Sequence, residues 1–167
     1  MFPARSAVTY LPFIISLCVF LAFLGCDRFN PSNSSLQSDT THTAIIMVDD
    51  LSSASLATDN AQIRSAVISS DVLTIVAQYG GGCKHHEFKL FGSKRFLESN
   101  PPQADVFLSH QANGDACKAL ITDTLRFSLI RLRDVYQSSY GNKGTLLLRL
   151  HEPGKQEPLS PLVRYEF

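Results

Sequence analysis

The chain has 167 residues, 44% of them hydrophobic, with 15 Lys or Arg set against 15 Asp or Glu. Binding nucleic acid needs clustered cations, and Lys94-Arg95 is a lone pair that reads as a solvated turn, so nucleic acid is excluded as an expected partner. The sequence contains no phosphate loop, no G-x-S-x-G elbow and no H-E-x-x-H pair, and so points to no cofactor and no enzyme class.

In chain order, Arg5 precedes a mostly apolar run from Leu11 to Leu24. That run is shorter than the ~20 residues a membrane-spanning helix needs. Basic start, apolar middle and small end are the order of a secretory signal peptide. An anchor that stays attached is the alternative.

The segment Leu21-Ala22-Phe23-Leu24-Gly25-Cys26 resembles the lipobox of bacterial lipoproteins, departing from it at Phe23, where Leu is usual. The resemblance implies removal of residues 1–25 and lipidation of Cys26, with a diacylglycerol thioether and a further acyl chain such as palmitate. Each buried CH₂ adds ~0.8 kcal/mol, so several chains anchor stably where one is marginal. The expected location is the cell envelope, on the periplasmic side of the inner membrane or on the outer membrane. Asp27 resembles an inner-membrane retention signal. Residues 26–42 comprise the lipidated cysteine and a tether whose Ser, Asn and Thr content cannot build a core. Residues 43–167 are one domain's worth of chain.

Within that domain, short apolar stretches divided by turn residues predict strands. Thr43 to Val48 is the first. Ala54 to Ala66 has no clear period and reads as loop or short helix. Val67-Ile68 and Val72 to Tyr79 form a hairpin, in which Leu73, Ile75, Ala77 and Tyr79 share one face. Lys84 to Phe91 follows, then a connection through Pro101-Pro102, which disfavours regular structure. Ala104 to His110, Ala116 to Ile121, Thr124 to Leu129, Thr145 to His151 and Pro161 to Phe167 complete the set, with one helical turn at Leu132 to Tyr136. The expected fold is mainly β: an antiparallel β-sandwich, immunoglobulin-like in the loose sense, with an open barrel as the alternative.

The chemistry gathers in GGGCKHHEF (residues 80–88) and LSHQANGDACKA (residues 108–119). Cys18 leaves with the signal and Cys26 is lipidated, so Cys83 and Cys117 remain, and an isolated pair in an exported protein most often forms a disulfide. If residues 83–90 are regular strand, Cys83, His85 and Glu87 lie on one face, and His86 joins Phe88 and Leu90 on the core face. His110, beside Val106 and Leu108, also leans inward; Asp115 or a backbone carbonyl could serve as its partner. His86, His110 and Asp115 are therefore expected as structural polar residues. The competing reading is a zinc or copper site from Cys83, His86, His110 and Cys117. A third is a thiol enzyme with Cys83 as nucleophile and His86 or His110 as base.

Residues 72–129 resemble an uncharacterised family of secreted bacterial lipoproteins, on the GGC-x-x-H-x-F segment, the hydrophobic-Ser-His strand end and Asp-x-Cys before Thr-x-x-Leu-x-Phe. The resemblance implies one fold unit and carries no activity. The function expected first is a non-catalytic binding or structural module, held to a membrane by its lipid and meeting an envelope protein through loops such as Ser93 to Gln103.

Overall fold

The computed structural model describes residues 42–167; the expected signal peptide, the lipidation site at Cys26 and the tether up to Thr41 lie outside the described residues. Two sheets pack face to face as a β-sandwich. One has the order β1-β7-β4-β3 and the other β2-β5-β6-β8-β9. The strands are β1 (Thr43–Ala44), β2 (Ile46–Val48), β3 (Ala61–Ser69), β4 (Val72–Gly81), β5 (Glu87–Ser93), β6 (Gln103–Gln111), β7 (Ala119–Ser128), β8 (Thr145–His151) and β9 (Val163–Glu166), with one helix, α1 (Ile130–Tyr140). Among the described residues, no helix is long and apolar enough to cross a membrane.

The core follows from alternation. In β4, Leu73, Ile75, Ala77 and Tyr79 are buried, and the first three join Ala104, Val106 and Leu108 of β6 and Leu146, Leu148 and Leu150 of β8 in one cluster. Each Val, Leu or Ile of this set, fully buried, contributes on the order of 1.5–3 kcal/mol. A two-residue hairpin joins β3 to β4: Ser69 faces Val72, and Ser70 takes φ 53°, the positive value a twisted hairpin turn requires at its first position.

The first strand is shared between the sheets. Thr43 and Ala44 run parallel to β7, Ile46 to Val48 run parallel to β5, and the wholly buried Ile45 sits at the switch. With the parallel β6–β8 pair, these pairings make both sheets mixed, where antiparallel pairing throughout was expected. Connectivity permits this: none of the three parallel pairs is consecutive in the chain, and β7 and α1 intervene between β6 and β8, which gives the chain room to return in the same direction.

Three elements differ from expectation. Residues 61–66, read as loop or short helix, belong to the nine-residue β3. A bulge between Ile63 and Ser65 hides the strand by shifting its inward set from Ala61 and Ile63 to Ala66 and Ile68. The two segments around Leu120 and Leu125 are one strand, β7, paired to β4 along its whole length. The single turn at Leu132 is an eleven-residue helix, held by a stripe of Leu132 and Tyr136 at i, i+4. Tyr136 also meets Phe167 edge-on at 4.8 Å.

Candidate functional site

The glycine-cysteine corner is not strand. β5 starts only at Glu87, so residues 82–86 form a turn and the face assignment for Cys83 and His85 does not apply. That turn wraps around one carboxylate. Asp115 Oδ2 accepts from the backbone N–H groups of Gly82, Cys83 and Lys84 at 2.9, 2.8 and 2.9 Å. Oδ1 accepts from Cys117 N at 2.9 Å, and His86 Nε2 lies 3.2 Å from Oδ2. The Asp115 side chain exposes no surface. The Cys117 N–H above all, then those of Cys83 and Lys84 and the His86 ring, hold its carboxyl far below the usual carboxylate range.

The rest of the corner ties the same two segments. Cys83 and Cys117 are bonded to each other, with Cα atoms 5.9 Å apart. Lys84 Nζ donates to the carbonyls of Asn113 and Gly114 at 2.8 and 2.9 Å, and Asn113 Nδ2 donates to His85 O at 2.8 Å. Gly81 allows the close approach: a Cβ there would stand 2.5 Å from His86 Nε2 and 3.0 Å from Asp115 Oδ2.

Beneath lies an imidazole pair. His86 Nδ1 and His110 Nε2 are 2.8 Å apart, and His110 Nδ1 donates to Asp59 O at 3.1 Å. His110 stacks on Phe88 at 4.3 Å, and Tyr79 sits against both imidazoles. Burial holds His110 below the ordinary imidazole range. Asp115 therefore partners His86 rather than His110, whose partner is a backbone carbonyl. Sequence reasoning missed Asp59, which lies 51 residues from His110 and carries no local pattern; it placed Tyr79 on the inward face of its strand without showing that the ring meets the imidazoles. His85 is exposed.

For metal chemistry, Cys83 Sγ, Cys117 Sγ and an Asp115 oxygen lie within 4.8 Å of one another. The sulfurs are bonded to each other, Asp115 is occupied by five donors, and both His110 nitrogens are engaged. The set Cys83, His86, His110 and Cys117 is thus spent on internal bonds in this structure, and Cys83 carries no thiol to act as nucleophile. A second buried histidine escaped the sequence reading: His151, whose Nε2 lies 2.8 Å from Asp105 Oδ1 and whose ring stacks on Phe107 at 4.0 Å.

No family profile matches the chain, and no curated protein matches it in sequence. Solved structures do resemble it. A NigD-like immunity protein from Bacteroides caccae is similar over 75% of this chain at 17% identity, with a TM-score of 0.53. This chain spans 63% of that structure's length, and the likeness is one of fold alone. A candidate lipoprotein of Bacteroides fragilis is similar over 75% of this chain and 70% of its own, at 11% identity and a TM-score of 0.47. A Bacteroides vulgatus protein of unknown function is similar over 75% and 55%, at 18% identity and a TM-score of 0.45.

Proposed function

We propose that this chain is a cell-envelope lipoprotein: residues 1–25 are removed as a signal peptide, Cys26 is acylated, residues 27–42 tether the domain, and the β-sandwich is a non-catalytic binding or structural module. The observation that carries this reading is the Cys83–Cys117 bond, at a corner where Cys83 is exposed. An accessible disulfide in so small a domain fits an oxidising compartment and would be reduced in a cytosol. Its neighbours fit the same role: Asp115, His86 and His110 spend their hydrogen-bonding capacity on the fold, as staples do. The fold shared with the Bacteroides caccae protein supports the module and names no partner.

The test is expression in a bacterium fed labelled palmitate, comparing the natural chain with Cys26→Ser. Label and membrane association should be lost together in the variant. The same purified protein should show no free thiol under denaturing conditions. A free thiol pair with one equivalent of zinc or copper would replace this reading with the metal module.

A further inference from the structure

The sandwich has two open sides, and the described residues close one of them. On that side Thr43–Val48 bridges the sheets by pairing first with β7 and then with β5. On the other side β3 and β9, the outer strands of the two sheets, come close to each other and flank a groove of about 490 Å³, and among the described residues no strand pairs with either outer edge there. That volume lies within the ~300–1,000 Å³ range of ligand sites.

Its lining has the parts a strand needs. Gly144 and Phe167 exchange both backbone hydrogen bonds, at 2.9 and 3.2 Å. By alternation Tyr165 and Val163 also bond towards β8, which leaves the N–H and C=O of Arg164 and Glu166 pointing away from it. On β3 the N–H of Ile63 is turned outward to Glu152 Oε1, at 2.7 Å. The bulge then resets the parity, and from the hairpin closed at Ser69 and Val72 the outward residues are Ala66 and Ile68. The floor is apolar: Ala66, Ile68, Leu159 and Val163 are half-buried against the core. Arg64 and Arg164 both line the groove; Arg164 Nε is paired with Glu166 Oε1 at 2.6 Å and Glu152 reaches the groove at the Ile63 N–H, so Arg64 is the cation the groove offers to an acidic ligand. Among the described residues, Arg64 donates to the neutral Gln62 side chain, at 3.0 Å, and to no carboxylate.

We propose that this groove receives an extended segment of a partner polypeptide, added as a strand along the Ala66–Ile68 edge, with an acidic side chain of that segment bound by Arg64. Main-chain bonds to an exposed edge give affinity, and alternate side chains give choice of sequence. A guanidinium fork matches a carboxylate in two parallel bonds, which supplies the preference for acid. The proposal rests on the binding-module reading and gives that module its ligand class.

The test uses the full chain purified from membranes in detergent. The probes are two fluorescein-labelled octapeptides, Thr-Val-Glu-Val-Thr-Val-Thr-Val and its Lys-for-Glu counterpart. The Glu peptide should bind at least about tenfold more tightly, and Arg64→Glu should invert that preference. Amide exchange at Ala66 and Ile68 should slow in the complex. Arg64 is exposed, so the variant should melt with the natural protein, which separates lost binding from lost folding.

Equal affinity for the two peptides, no binding at about millimolar concentration, or protection on β7 instead would overturn the proposal. So would concentration-dependent dimers that exclude the peptide, since the occupant would then be a second copy. An envelope partner whose capture survives Arg64→Glu would sustain the module while removing the groove.

Discussion

His86 Nδ1 lies 2.8 Å from His110 Nε2, and the line of hydrogen bonds through the two rings ends on an acceptor at each side: Asp59 O beyond His110, Asp115 Oδ2 beyond His86. An acceptor at both ends requires an N–H at both ends, and the contact between the rings requires a third. Two neutral imidazoles supply two. A fully bonded array therefore needs one proton more than two neutral imidazoles carry, and the Asp115 carboxylate lies where it would balance that charge. Ring ¹⁵N shifts should show one doubly protonated imidazole and one neutral ring. Two neutral rings would refute the count.

The same carboxylate sets a dependence on acid. The folded Asp115 is held below the range it has when unfolded, so its contribution is present above the unfolded value and is lost as pH falls through the folded one. Asp115→Asn should thus be less stable than the natural protein near neutrality, and the gap should narrow towards about pH 2. Urea midpoints across that range measure it; a constant gap would place the effect elsewhere.

Reducing the Cys83–Cys117 bond opens a loop with a sequence separation of 34. Chain entropy alone then predicts a loss of about 4 kcal/mol at 25 °C. The Asp115 bonds persist, so the reduced protein should remain folded with a lower urea midpoint. Complete unfolding on reduction would mean that the carboxylate does not hold the corner by itself.

Gly81→Ala places a methyl group against the His86 ring and the Asp115 carboxylate. Displacing that contact should cost on the order of 1–3 kcal/mol, as overpacking does elsewhere. Gly80 is the control, because a Cβ there meets nothing within 4 Å. Thermal melts of Gly81→Ala and Gly80→Ala should separate clearly, and equal melts would count against the close packing.

Tyr165 is fully buried and its hydroxyl donates to Asp71 Oδ1 at 2.6 Å, while Asp71 also pairs with Arg133 at the start of α1. Tyr165→Phe keeps the ring and removes the tie between β9, the β3–β4 turn and the helix. A hydrogen bond to a charged acceptor is worth about 1.5–3 kcal/mol. Chemical denaturation should show a loss of that size with an unchanged slope.

How legible all this was depended on period. Leu73, Ile75, Ala77 and Tyr79 alternate without interruption, and the strand and its buried face were readable directly. Ala61, Ile63, Ala66 and Ile68 face the same core, yet Arg64 shifts the parity midway, and the stretch read as patternless. Three parallel pairings were unreadable because pairing direction is fixed by distant connections rather than by local pattern. At the corner, His86 and His110 were placed inward from their neighbours Phe88 and Leu108. Their contact with each other, and the N–H groups that converge on Asp115, come from a turn of residues 82–86 whose conformation has no period to read.

The sheet-switching strand has a mechanical meaning. Tension reaching the domain from its N-terminal side arrives at Thr43, and the bonds that meet it lie in two different sheets on either side of Ile45. To peel that strand, the load must break pairing with β7 and with β5 while drawing a fully buried isoleucine into water. Under the proposed lipid anchor, the domain would thus take the strain on both halves of its sandwich at once, rather than unzipping from one.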